Sequence, residues 1–118
     1  MSKVITDTNS LIYAIQKRID LAKSLFLIDE VTGILVPACV VNELRALEVR
    51  NPDAKTALSM LNRFEFIDSE GQGDDCVLRI AIDMDAFILS NDKELISRAR
   101  RSGLRTLSIR ANGTIKFN

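Results

Sequence analysis

The 118-residue sequence contains no histidine and no tryptophan. Without histidine there can be no Ser-His or Cys-His dyad and no His-ligated zinc site. Chemistry in this chain must rest on carboxylates, hydroxyls, Lys, Arg or a hard metal ion. Aromatic residues make up only 5%, so the core must be built from Leu, Ile, Val and Ala. No apolar run approaches the roughly 18–20 residues that a membrane helix needs. Met1-Ser2-Lys3 leads straight into a strand pattern and leaves no room for a signal peptide. Both observations point to a cytoplasmic protein away from membranes. Cysteine is confined to Cys39 and Cys76, each within an apolar helical pattern. They are expected as small buried thiols rather than as a disulfide or a zinc pair.

What is present suits one folded domain spanning residues 1–118, with 47% hydrophobic residues. Sixteen Lys and Arg balance sixteen Asp and Glu, but unevenly along the chain. From Asn91 onward the bases are Lys93, Arg98, Arg100, Arg101, Arg105, Arg110 and Lys116, against only Asp92 and Glu94. A basic end beside an acidic front suits a polyanion held near metal ions, although Arg98, Arg100 and Arg101 are most simply a solvated helix face.

Periodicity gives alternating strands and helices. Strands are expected at Lys3–Thr6, Ile34–Val36, Phe64–Ile67, Ala86–Leu89 and Leu104–Ile109, and Thr114–Phe117 suits a short edge strand. Ala86–Leu89 is apolar throughout and therefore central. Gly33 is expected to end the second helix. Pro37 stops the second strand and starts a helix running from Ala38 to Arg50, which Asn51-Pro52 breaks. Asp53 helps to start the next helix, and Gly103 stops the last one. This order predicts a three-layer α/β/α domain around a central parallel sheet of about four to five strands.

Carboxylates fall at the strand-to-helix junctions. Asp7 follows the first strand, Asp74 and Asp75 open the helix after the third, and Asp92 opens the helix after the fourth. Glu43 lies in the helix after the second strand, at the edge of its apolar stripe. Each Asp alone is an ordinary helix cap, and Glu43 alone is an ordinary surface residue. Together they describe an acidic pocket at the carboxyl ends of the strands, where open α/β sheets bind ligands. Carboxylates crowded into one pocket repel one another unless a cation sits among them, and all-oxygen ligands favour Mg²⁺ or Mn²⁺. Such ions activate water and stabilise charge on a phosphoryl group. Thr8, Asn9, Ser10, Ser90 and Asn91 read either as caps or as supports for these acids. A phospho-accepting receiver domain would need a Lys near the end of the fifth strand, and Leu104–Arg110 has none. A haloacid-dehalogenase-type phosphatase would want Asp where Asn9 stands.

Four segments carry a family likeness. They are Val4-Ile5-Thr6-Asp7-Thr8-Asn9, Val36-Pro37-Ala38-Cys39-Val40-Val41-Asn42-Glu43-Leu44, Gly73-Asp74-Asp75-Cys76-Val77 and Ile88-Leu89-Ser90-Asn91-Asp92-Lys93-Glu94-Leu95. In order and spacing the chain resembles the PIN-domain ribonucleases, and its wording is closer to the branch of small-subunit ribosomal RNA processing factors than to the toxin branch. The resemblance implies a Mg²⁺- or Mn²⁺-dependent endoribonuclease. Its metal-binding acids would be Asp7, Glu43, Asp92 and one of Asp74 and Asp75. Asp75 is favoured on the spacing to Val77-Leu78. Ser90 stands where the family often has Thr. The resemblance further implies an RNA substrate, single-stranded or looped, and a homodimer. A ribosome-assembly partner or, for a toxin of a toxin–antitoxin pair, a protein inhibitor is the expected protein partner. A non-catalytic RNA-binding or assembly module on the same fold is the competing reading.

Overall fold

The β-branched and apolar runs become the strands of one sheet. The computed structural model describes residues 1–118. Strands β1 (Ser2–Thr6), β2 (Val31–Pro37), β3 (Glu65–Ile67), β4 (Phe87–Leu89), β5 (Thr106–Ile109) and β6 (Ile115–Phe117) lie in the order β3-β2-β1-β4-β5-β6. The first five are parallel, and β6 runs antiparallel to β5. The sheet therefore has six strands, not four to five. The sixth forms because a tight turn folds the chain back: the Asn112 side chain accepts hydrogen bonds from both the backbone and the hydroxyl of Thr114.

Helices α1 (Thr8–Gln16) and α2 (Leu21–Phe26) connect β1 to β2, and α3 (Ala38–Leu47) and α4 (Pro52–Met60) connect β2 to β3. Helix α5 (Gly73–Met84) leads to β4, and α6 (Lys93–Arg101) leads to β5. Helices α1, α3 and α4 pack on one another, and α5 packs against α3 and α6 and lies over β1 and β4. A mostly parallel sheet between helical layers is the expected α/β/α architecture. Val4, Ile5, Ile88 and Leu89 of the two central strands are fully buried, as expected of strands covered on both faces. No helix is long and apolar enough to cross a membrane.

Three boundaries differ from expectation, each for a local reason. Gly33 does not end a helix; it lies inside β2, opposite Lys3 of β1. A Cβ there would come within 3.2 Å of the Lys3 side chain. The missing side chain lets Lys3 cross β2 and reach Glu65 of β3 at 2.8 Å. Helix α3 stops at Leu47, short of Arg50, and α4 is capped by Asn51 rather than Asp53. The Asn51 carboxamide accepts from the backbone N–H groups of Asp53 and Ala54, with Pro52 in the first turn.

The cysteines are buried as expected but are not free thiols. Cys39 and Cys76 form a disulfide. One lies in the first turn of α3 and the other in the first turn of α5. Parallel strands bring both helix starts to the same end of the sheet, 6.7 Å apart between Cα atoms, within the range a disulfide spans. The 37-residue separation hides this closeness from the sequence.

Candidate active site

The chain leaves β1 toward β2 and β3 on one side, then returns to place β4 on the other. That reversal makes a topological switch point between β1 and β4, and the crevice opens at their carboxyl ends. Asp7 follows β1 there, and Ser90 to Asp92 follow β4.

Asp7 is 6% exposed. Its Oδ1 accepts from the Ser10 backbone N–H at 2.8 Å and so caps α1. Its Oδ2 accepts from the Ser90 hydroxyl at 2.5 Å. The Ser90 oxygen in turn accepts from the Asp92 N–H at 3.0 Å, so one hydroxyl ties two acidic junctions together. Ser108 steadies this loop by donating to the Ser90 carbonyl at 2.8 Å, and Asn91 exchanges two hydrogen bonds with the Ile109 backbone. Asp92 caps α6 with Oδ1, accepting from the N–H groups of Glu94 and Leu95. Its other oxygen makes no such bond.

Glu43 comes from α3. Its Oε2 accepts from the Thr8 hydroxyl at 3.0 Å, which links α3 to the residue beside Asp7. Thr8 therefore supports Glu43 rather than Asp7, and the Ser10 hydroxyl turns away to the Leu89 carbonyl. Pro37 offers no side-chain cap to α3. The Ser69 hydroxyl supplies one instead, accepting from the Cys39 N–H at 3.0 Å. Ser69 and Ser108 had no periodic or charge signal in the sequence, because each acts across a long separation.

Helix α5 begins earlier than its acidic pair suggests. Gly73 is its first residue, with φ of +62°, a conformation that glycine adopts without strain. Asp74 and Asp75 both lie in the first turn, and they diverge. Asp74 lines the cleft with Asp7, Asn9, Glu43 and Asp92, in a cavity volume of about 30 Å³. Asp75 instead pairs with Arg98 at 2.6 Å, largely in solvent. The spacing argument favoured Asp75, with Asp74 as the alternative; of the two, it is Asp74 that faces the other acids.

Electrostatics agree. The Asp74 carboxyl titrates above its ordinary value, through burial first and then the charges of Asp92 and Asp7. Arg98 opposes the shift, and Glu43 adds to it. The donors around the cleft are all carboxylate oxygens with hydroxyl and carboxamide neighbours, the ligand chemistry of Mg²⁺ or Mn²⁺. As placed, no three of the acids stand close enough together to hold a metal ion between them. The residues fit a hard divalent cation in donor type and in their mutual repulsion.

A family model described as a PIN-like domain matches residues 4–112. The chain belongs to the PIN-like domain family. It is 30% identical over 105 residues to Ribonuclease VapC9 of Archaeoglobus fulgidus, covering 85% of this chain and 77% of that protein. Among solved structures it is similar to the PIN domain endonuclease Utp24, with a TM-score of 0.83 and 30% identity, covering 98% of this chain and 90% of the other. VapBC2 from Rickettsia felis, bound to a DNA fragment from their promoter, shares the fold alone. There the TM-score is 0.66 at 20% identity, over 89% of this chain and 97% of that one. The fold and the nuclease character of this PIN-like chain agree with what the sequence resemblance implied.

Proposed function

We propose that this protein is a divalent-cation-dependent endoribonuclease that hydrolyses RNA phosphodiester bonds. The observation that carries the reading is the delivery of Asp7, Glu43, Asp74 and Asp92 to one cleft by four different segments of chain. These four residues would hold the cation. A bound Mg²⁺ or Mn²⁺ supplies water activation and neutralises charge growing on the phosphoryl group.

The protein's own contribution is positioning. Asp7 is fixed from two sides by the Ser10 N–H and the Ser90 hydroxyl, so its oxygens keep one orientation. Thr8 holds Glu43. Asp74, whose carboxyl titrates above its ordinary value beside the other acids, would be the acid relieved most by a cation. Basic residues then lie along α6, whose first turn starts beside Asp92. Lys93, Arg100 and Arg101 border a broad open groove with Ile96 and Ser97 and can meet phosphates on either side of the cleavage point. Arg98 is engaged by Asp75, and Arg110 donates to the Phe117 carbonyl.

The similarity to a ribonuclease and to an endonuclease at the same 30% identity supports the shared chemistry and favours neither specialised role. On the motif wording alone, which is closer to the ribosomal RNA processing branch, we attach to this activity a setting in cytoplasmic RNA processing, with a homodimeric form and a single-stranded or looped RNA substrate. The deciding experiment is cleavage of end-labelled RNA with Mn²⁺ by wild type and by Asp7→Asn. Internal cuts by wild type alone are expected. Equal activity in both would sink the assignment.

A further inference from the structure

The acidic cleft is open at both ends. On one side it shares Glu43 and Gly73 with a groove that runs past Asn42 and Gln72. On the other it shares Asn9 and Asp92 with a groove of about 500 Å³ that runs along α1. The second groove has the more specific lining. Asn9, Tyr13 and Gln16 recur at helical spacing and so form one stripe of α1. The Tyr13 ring is half-buried against the core, and the Lys17 ammonium stands over its face, 5.7 Å from the centre. A base stacking there would displace the ammonium toward the adjoining phosphate. Asn91, at the groove's far wall, is locked to the Ile109 backbone, whereas the side chains of Asn9, Tyr13 and Gln16 make no hydrogen bond within the protein.

We propose that this groove is a nucleobase subsite. The base of a nucleotide adjoining the scissile phosphate lies against Tyr13, and its edge meets the carboxamides of Asn9 and Gln16. The inference rests on the nuclease reading above and specifies its substrate as a single strand with an unpaired base at that position. An aromatic ring anchored in the core offers a stacking face at little ordering cost, and stacking tolerates any base. Carboxamides present a donor and an acceptor together, which suits base edges. Lys17 supplies a cation for the phosphate that follows the base. A half-buried tyrosine serving only as packing would explain the ring's burial. It gives no account of the groove that leads from this ring past Asn9 into the acidic cleft.

The sequence makes the test direct. Tyr13 is the one tyrosine and tryptophan is absent, so intrinsic fluorescence reports on this ring alone. In cation-free buffer, a single-stranded oligoribonucleotide should quench that emission saturably. An abasic ribose-phosphate oligomer of equal length should not. In cleavage assays Tyr13→Leu should raise KM about 10-fold with kcat within about threefold, and Tyr13→Phe should restore KM, as expected for a stacking contact. Equal quenching by the abasic oligomer would overturn the subsite. So would wild-type cleavage with an unchanged KM in Tyr13→Leu, or a loss in kcat that tracks a fall in Tm. Base-dependent quenching without cleavage would keep the subsite and overturn the nuclease reading.

Discussion

At the scale of single residues, the neighbouring acids of α5 separate sharply. Asp74 faces Asp7, Glu43 and Asp92 across the cleft, whereas Asp75 is committed to Arg98. Asp74→Asn is therefore expected to lower kcat/KM by about 100-fold or more, on the scale of losing a group that acts in the transition state. Asp75→Asn should stay within a few-fold of wild type. Steady-state cleavage of one oligonucleotide by both variants checks this, and the reverse ranking would return the role to Asp75.

The Asp74 titration carries a second residue-scale prediction. Its folded-state value lies above the ordinary 3.8, so the folded chain binds this proton more tightly than the unfolded chain does. The group's contribution to stability is complete below the ordinary value and is lost as pH rises through the raised folded value. Above that raised value the cation-free protein bears the repulsion of all its cleft acids. Mn²⁺ should raise Tm at such pH, by about 4 °C for each 1 kcal/mol it contributes, and the gain should shrink on acidification as protons compete for the same oxygens. Asp74→Asn should raise the cation-free Tm and lose most of the Mn²⁺ response. Thermal melts across pH measure both, and a Mn²⁺ shift independent of pH would contradict the coupling. Legibility at this scale was partial. Buried positions of α5 are Cys76, Val77, Leu78 and Ala81. Helical spacing of three and four residues carries that stripe back from Val77 and Leu78 to Asp74, and from Leu78 and exposed Arg79 to Asp75. The spacing to Val77-Leu78, worked as helix geometry, thus sides with Asp74.

At the scale of elements, the site depends on how helix starts are held. Asp7 and Asp92 were legible because a carboxylate after an apolar run, before a helical period, has few other jobs. The start of α5 was less so: an Asp-Asp pair reads as a cap, whereas Gly73 with its positive φ already occupies the first position. The tie between α3 and α5 was not legible at all, since periodicity carries no information about which helix starts become neighbours. That tie has consequences. Cys39 lies one helical turn before Glu43, and Cys76 lies two residues after Asp74, so the disulfide joins the elements that carry two of the four acids. Closing a loop of 37 residues is worth about 3–4 kcal/mol in the chain-entropy account. Cys39→Ala with Cys76→Ala should lower the denaturation midpoint accordingly, with a smaller effect on Mn²⁺ affinity. Thiol titration of the denatured wild-type protein should find no free cysteine before reduction. Two free thiols would remove the basis for the stability difference.

At the scale of the whole molecule, the neutral total hides a segregation that the fold makes useful. The sequence showed bases gathered after Asn91 but not which of them remain available. Arg98 is taken by Asp75, Arg105 lies over the Phe117 ring and near Glu30, and Arg110 holds the Phe117 carbonyl. Lys93, Arg100, Arg101 and Lys116 remain, and the first three share one open groove that starts next to the cleft. Three cations meeting a single strand release about two counterions, since the slope of log K against log salt is about −0.7 for each phosphate neutralised. RNA affinity should therefore fall with a slope near −2, and Arg100→Glu with Arg101→Glu should flatten it by roughly 1.4 units. The same pair should leave the Mn²⁺ thermal shift in place, because neither residue lines the acidic cleft. Fluorescence titrations of a short oligoribonucleotide at several salt concentrations give the slope directly. A slope unchanged by the double substitution would mean that the strand crosses the cleft without using α6, and that the bases of this helix are only a solvated face.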